Sequence, residues 1–293
     1  MMKVGIAVVG LFVTMLPPVV AQEPRLDAVM RLSSVCVGDV LDALSNSLVE
    51  ERATQELGPA AYAYGNATAR TRRVVLSDLL LLQVGGPLEW RQVRDAYEVD
   101  GVPVENREGR LTSLLSGEDG NEKAARLAAD SARFNLGPAG RTVNTPILPV
   151  LFLQQAIRTR FAFRVVGSEG AALGRQLIVQ YSETSRPTLI RGLQRDQDID
   201  LPASGRFWIE EPSGCVRKAE LRLAYRRTIS LSTTVFERGH GLAFPVPVSM
   251  ADTYDFQYRT ASAPAVYRVS TLSTYGNVRT FSTHTDTTVL TPQ

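Results

Sequence analysis

The sequence predicts an α+β fold: one large, curved antiparallel sheet, an open half-barrel, with an N-terminal helix and a helical insert covering one face. Three observations predict it. Helical spacing of apolar residues is confined to the start and middle of the chain. From Phe161 onward nearly every run alternates with period two. Those runs follow one another as hairpins, the way antiparallel sheets are built, without the crossover helices of βαβ units. With 44% hydrophobic and 21% charged residues over 293 positions, the chain has the composition of a protein that buries a sizeable core.

The chain opens with Lys3, an apolar run from Val4 to Leu16, the break Pro17-Pro18, and small residues at Val19-Val20-Ala21. That order of charged, apolar and small segments reads as a secretory signal peptide over residues 1–21, with Gln22 as the mature start. The apolar run is shorter than the roughly 20 residues of a spanning helix, and no cysteine stands at the cleavage point. The expectation is a periplasmic or secreted protein with no transmembrane segment in its mature chain. Residues 22–293 then form a single domain with an insert at about 105–157.

From Leu26 to about Leu48, Leu26, Val29, Met30, Ser33, Val37, Val40, Leu41, Leu44 and Leu48 recur at helical spacing and read as one amphipathic helix. The chain next reaches Gly58-Pro59 and a loop through Gly65-Asn66, where Asn66-Ala67-Thr68 matches a short glycosylation sequon. Arg73–Val84 and Leu88–Val99 read as a hairpin across Gly85-Gly86-Pro87. Trp90, Arg94 and Glu98 are expected on one face of its second strand, and Val93, Tyr97 and Val99 on the other. Residues four apart on a strand lie roughly 13 Å apart, so Arg94 must find its partner on a neighbouring strand.

In the middle, Asp119 is positioned to cap a helix bearing Ala124, Leu127, Ala128, Ser131 and Phe134, which Gly137-Pro138 ends. A short helix follows, with Thr145 as N-cap, Pro146 at its first position and Leu148, Leu151 and Phe152 buried. Beyond it, Phe161, Phe163 and Val165 share a face, as do Leu177, Val179 and Tyr181. Phe207-Trp208-Ile209 leads through Glu211-Pro212-Ser213-Gly214 into Val216–Tyr225. Ile229, Leu231, Thr233 and Val235 pair with Leu242–Met250 across Arg238-Gly239-His240-Gly241. The last strand runs from Ala265 to Phe281, with Tyr267, Val269, Thr271 and Tyr275 on one side.

The charge of +2 selects no partner, and the clusters Arg70-Thr71-Arg72-Arg73 and Arg226-Arg227 are too small for a nucleic-acid face. Cys36 and Cys215 are 179 positions apart. Export permits a disulfide, but no pattern in the sequence brings their α-carbons within the required reach of about 7 Å. Two free thiols are therefore expected. His240 and His284, the two histidines, do not share a metal-ligand spacing. No G-x-S-x-G elbow and no phosphate-binding glycine loop occurs. No catalytic residue, metal or cofactor is assigned. The acids Glu50-Glu51, Asp95, Glu98, Asp100 and Glu210-Glu211 keep a carboxylate-based hydrolase open as an alternative, since glycoside hydrolysis needs only two carboxylates at the right separation.

Several stretches resemble a group of secreted proteins of environmental, acidobacterial-type bacteria. They are Glu89 to Val104, Arg141 to Pro146, Ser185 to Ile190 and Gly205 to Ile209. The order of the strands, the Pro212-Ser213-Gly214 turn and the late hairpins around Tyr275 to Phe281 resemble the outer-membrane lipoprotein carrier superfamily (LolA, LolB and RseB-like). That resemblance implies an unclosed barrel lined by apolar side chains, plugged by helices, that binds acyl chains or lipid-bearing partners. No catalytic residue carries over. The inserted helices from about Glu118 to Gln155 depart from the pattern of a small carrier.

A curved sheet covered on one face must fill its concavity with side chains and helices or with an apolar ligand. The leading expectation is a non-enzymatic envelope protein that binds a lipid, an acylated protein or a lipoprotein. Phe163, Val179, Trp208, Leu221, Leu231 and Tyr267 would line the cavity, with Trp90 on a polar rim beside Arg94. A slip of one residue in any strand inverts such a list. The alternative from another class is a protein-interaction or sensor module with a filled core.

Overall fold

The computed structural model describes residues 23–45, 47–60, 70–83, 90–115, 120–137, 144–171, 174–194, 197–225, 228–239, 241–259, 264–284 and 287–290. The expected signal peptide, the sequon at Asn66, the Gly85-Gly86-Pro87 turn, Asp119, Pro138, Arg226, Arg227 and His240 lie outside the described residues.

The apolar stripe of the first helix places α1 at Glu23–Ser45; the helix ends before Leu48, which belongs to the following strand and packs on the outer face. Strands β1 (Ser47–Pro59), β2 (Thr71–Gln83), β3 (Trp90–Val99) and the short β4 (Val102–Pro103) follow. The insert holds α2 (Arg110–Leu115), α3 (Gly120–Ala132), α4 (Leu148–Leu151) and α5 (Gln155–Arg158). Then come β5 (Phe161–Ala171), β6 (Gly174–Glu183), the small hairpin β7 (Arg191–Gln194) and β8 (Gln197–Asp200), and β9 (Ala203–Glu210). The chain closes with β10 (Val216–Tyr225), β11 (Thr228–Glu237), β12 (Val246–Arg259), β13 (Pro264–His284) and β14 (Thr287–Leu290).

Neighbouring strands form one antiparallel sheet in the order β4-β3-β2-β1-β13-β12-β11-β10-β9-β6-β5, with β14 on β13. β4 and β5 end this path without pairing to each other, so the barrel stays open. The predicted antiparallel half-barrel is therefore present, and its centre is the β1–β13 pairing, which joins the two ends of the chain.

β1 has no counterpart in the sequence reading. Its inward side chains are Val49, Glu51, Ala53 and Gln55, all buried, so the usual apolar alternation is missing. The short helix also starts later than expected: its N-cap is Ile147, and Pro149 rather than Pro146 occupies the first turn.

Helix α1 and the turns of α4 and α5 fill one half of the inner face. Val29, Met30, Val37, Val40, Leu41 and Leu44 of α1 join Ile147, Val150, Leu151, Phe152 and Leu153 in one core with Leu79, Val179, Phe207, Ile209 and Leu221 of the sheet. Each such side chain contributes about 1.5–3 kcal/mol on burial. At its heart, Tyr181 stacks on Phe207 at 4.5 Å and meets Phe152 and Phe161 edge-on. The Tyr181 hydroxyl donates to the Glu220 carbonyl at 2.8 Å.

Cys36 and Cys215 are joined by a disulfide, with α-carbons 5.4 Å apart, which overturns the expectation of free thiols. The reason is tertiary: Gly214, at φ +72°, lets the β9–β10 turn lie directly against Leu32 of α1. A β-carbon there would stand 2.3 Å from that of Leu32.

The insert covers more than one face. α2 and α3 pack Leu114, Ala124 and Leu127 on the outer face over Leu48, Leu80 and Val93. Residues 131–137 then round the β3 edge, where the Leu136 amide donates to Gln55 Oε1 at 2.8 Å on the inner face. Among the described residues, no helix is long and apolar enough to cross a membrane.

Candidate functional site

The inner face changes character along its length. Beyond the apolar half lies a buried polar band built by Glu51 and Gln55 of β1, Ser77 of β2, and Thr271 and Ser273 of β13. Arg94 of β3 reaches across β2 to Glu51. Its Nη2 donates to Glu51 Oε1 at 2.9 Å while its Nε meets Oε2, and Nη2 also donates to the Asn144 carbonyl at 3.0 Å. Ser77 donates to Glu51 Oε2 at 3.3 Å.

Burial alone would push the Glu51 carboxyl up. The Arg94 charge, the hydrogen bonds from Arg94, and those from Ser273 and Ser77 outweigh it, so Glu51 is held below the ordinary value of 4.5. Burial and, behind it, the Glu51 charge push the neighbouring Tyr275 hydroxyl well up. Between the pair and Ser131, Phe134, Asn135 and Asn144 lies a cavity of about 20 Å³, lined also by Gln55, Ser77, Thr271 and Ser273. That is room for one water among polar partners. The band is a neutralised, sealed floor.

Past this floor the inner face carries a row of aromatic rings. Tyr254 and Phe256 of β12 stack at 6.0 Å and 18°, and Phe256 and Tyr267 of β13 at 6.1 Å and 26°. All three are partly exposed. Beneath them Val269 is fully buried, and Gly137 at φ +78° lies against both Val269 and Phe256. A β-carbon on Gly137 would stand 2.9 Å from Val269 Cγ2, so at this point the insert meets the row through a residue without a side chain.

The expected lining residues separate accordingly. Val179, Leu221 and the half-buried Phe163 face inward but belong to the packed core. Trp90 packs against the edge of that core. Tyr267 stands in the aromatic row. Trp208 lies on the outer face, because Phe207 and Ile209 take the inward positions. Lys218 Nζ sits 3.4 Å above its ring and Arg206 at 5.3 Å.

Leu231 is also on the outer face, 45% exposed, because Ser232 and Thr234 of the same strand turn in. Glu98 does not share a face with Arg94: the register slips between Leu76 and Ser77, leaving Tyr97 as the extra residue on β3 and turning Glu98 outward.

Of the acids that kept a hydrolase open, Glu51, Asp95, Asp100, Glu210 and Glu211 are engaged by arginines, and Glu50 accepts from Asn277 Nδ2 at 2.9 Å. On the outer face Arg107 bridges Asp78 and Asp95, Arg279 meets Asp78, and Arg110 spans Asp95 and Asp130. Burial pushes the Asp95 carboxyl above the ordinary 3.8 against the pull of Arg107 and Arg110, and the like charge of Asp78 adds to the rise. Glu210 accepts from Arg238 at 2.7 Å and Ser213 at 2.5 Å, Glu211 pairs with Arg25, and Asp100 with Arg73. Among the described residues, no three His, Cys, Asp or Glu side chains are grouped to hold a metal ion.

No protein-family model matches the chain, and no curated protein matches it. Solved structures similar to it include a domain from Vibrio parahaemolyticus described as an outer-membrane lipoprotein-sorting protein. It is 10% identical, covers 86% of this chain and 91% of that one, and gives a TM-score of 0.37. A DUF1329 family protein from Desulfovibrio piger is likewise 10% identical, over 87% of this chain and 93% of that one, with a TM-score of 0.35. A chain of the Pseudomonas aeruginosa MucA/MucB complex is 10% identical over 83% and 94%, with a TM-score of 0.19.

Proposed function

We propose that this is an exported, non-enzymatic envelope protein that holds the apolar part of a lipid or acylated partner on the row of Tyr254, Phe256 and Tyr267. The carrying observation is the division of the inner face. One half is filled by α1, α4 and α5, and the other offers three partly exposed aromatic rings over a sealed polar floor. Aromatic walls with few polar groups are the usual lining of sites for apolar ligands. The disulfide agrees with an oxidising compartment outside the cytoplasm. The pairing of Glu51, Asp78, Asp95 and Glu210 with arginines argues for a binding protein over a hydrolase.

The test is native mass spectrometry of the protein purified from a bacterial envelope and then incubated with fatty acid or phospholipid. A bound lipid that is lost on Phe256→Ala and kept on Trp208→Ala supports the reading. A clean apo mass under all conditions overturns it. The packing of Val179 and Leu221 against the helices favours one other reading, a protein-interaction module with a filled core. A clean apo mass leaves that reading standing.

A further inference from the structure

Over β11, β12, β13 and β1 the three middle cross-strand rows of the outer face carry little charge, set between Lys218, Glu220 and Arg222 of β10 and the Asp255–Arg268 pair of the next row. The central cross-strand row is Thr233–Ala251–Leu272–Thr54. The rows on either side hold Ser, Thr, Val and Leu, except at their β1 ends, where Arg52 and Glu56 stand. Leu272 is 54% exposed and Leu231, in one flanking row, 45%. Arg52 and Glu56 are exposed, sit two positions either side of Thr54, and form no ion pair among the described residues.

We propose that this face is where two copies of the chain pair, sheet against sheet, about a two-fold axis that runs along the central row and perpendicular to the strands. Such an axis sets each residue of one flanking row over the other flanking row of the second copy. Arg52 of each copy then lies over Glu56 of its mate, giving two reciprocal ion pairs. Leu272 meets Leu272, and Leu231 meets Val235.

The patch is self-complementary, as an isologous interface requires, and the strands stay aligned, as in packed sandwiches. The other two-fold axis, parallel to the strands, would press Leu231 onto Glu56 and Val235 onto Arg52, desolvating charges against apolar groups. Four strands about 4.8 Å apart and five residues at about 3.3 Å cover roughly 300 Å² in projection. That is below the about 800 Å² each partner buries in a standard interface, so the dimer is weak and forms at high local concentration.

Sedimentation velocity over a concentration series tests this. The wild-type protein should show a monomer–dimer equilibrium. Arg52→Glu and Glu56→Arg should each weaken self-association about tenfold, a shift of about 1.4 kcal/mol, by turning both pairs repulsive. Mixing those two variants should restore a dimer, because each then presents the charge the other lacks. Leu272→Lys should abolish the dimer with the melting temperature unchanged. A protein monomeric at every concentration overturns the proposal. So does a dimer indifferent to these substitutions, or a mixture that fails to recover.

Discussion

At the residue scale the polar half of the inner face depends on the buried pair of Glu51 and Arg94. Removing one member of a buried, hydrogen-bonded pair strands the other's charge and costs about 3–5 kcal/mol. Arg94→Met is therefore expected to lower the urea-unfolding free energy by that amount, and Arg94→Met with Glu51→Met to recover part of it. The pH dependence has a definite sign. Glu51 is held below 4.5 in the fold, so its contribution is present in full above that value and is lost as pH falls through the folded-state pKa. Asp95 works in the opposite sense: raised above 3.8, it stabilises on acidification and costs stability as pH rises through its folded-state value. Urea midpoints measured from pH 3 to pH 7 should lose part of their acid slope in Glu51→Gln and steepen in Asp95→Asn. Identical profiles would contradict both assignments. Gly205 is a third position of this kind. A β-carbon there would lie 1.9 Å from the Glu220 carbonyl and 2.8 Å from the Tyr181 hydroxyl, so Gly205→Ala should cost at least about 1–3 kcal/mol.

At the element scale the disulfide fixes α1 in the filled half of the sheet. Replacing Cys36 and Cys215 by Ser is expected to cost about 2–5 kcal/mol, read by thermal or urea unfolding. No change would mean that Arg25–Glu211 and the apolar stripe hold the helix unaided. The stripe itself was legible in the sequence, because α1 buries one face in an apolar core and the 3.6-residue period survives. β1 was not legible, because its inner face meets the polar band and reads Val-Glu-Ala-Gln where an ordinary strand would read as four hydrophobes. The same cause inverted β11. Its Ser232 and Thr234 face the polar half and leave Ile229, Leu231 and Val235 outside, so the apolar alternation points to the wrong face. Trp208 failed for a different reason: three large residues in succession give no parity, and their neighbours in β6 and β10 decide it. Arg94 was recognised as needing a partner on another strand. That the partner is Glu51 could not be seen while β1 itself was unassigned.

At the scale of the whole molecule, the sheet has one closed half, one half lined with aromatic rings, and an outer face that carries arginine–carboxylate pairs over β2 and β3 and a Ser/Thr-rich patch over β11, β12, β13 and β1. The insert ties these together by running from the outer face round the β3 edge to the inner one. Gly137 is the contact point with the aromatic row, and Gly137→Val should weaken lipid binding by forcing the insert away from Val269 and Phe256, while leaving the disulfide and the α1 core intact. A titration with fluorescent fatty acid checks this, and unchanged affinity would place the ligand elsewhere.

A fatty acid bearing a diazirine at its methyl end, photocrosslinked to the wild-type protein with the labelled peptides mapped by mass spectrometry, locates the bound acyl chain. Label is expected on the strands holding Tyr254, Phe256 and Tyr267, competed away by unlabelled fatty acid. Label on peptides containing Val179 or Leu221, or none that competes, would contradict that placement.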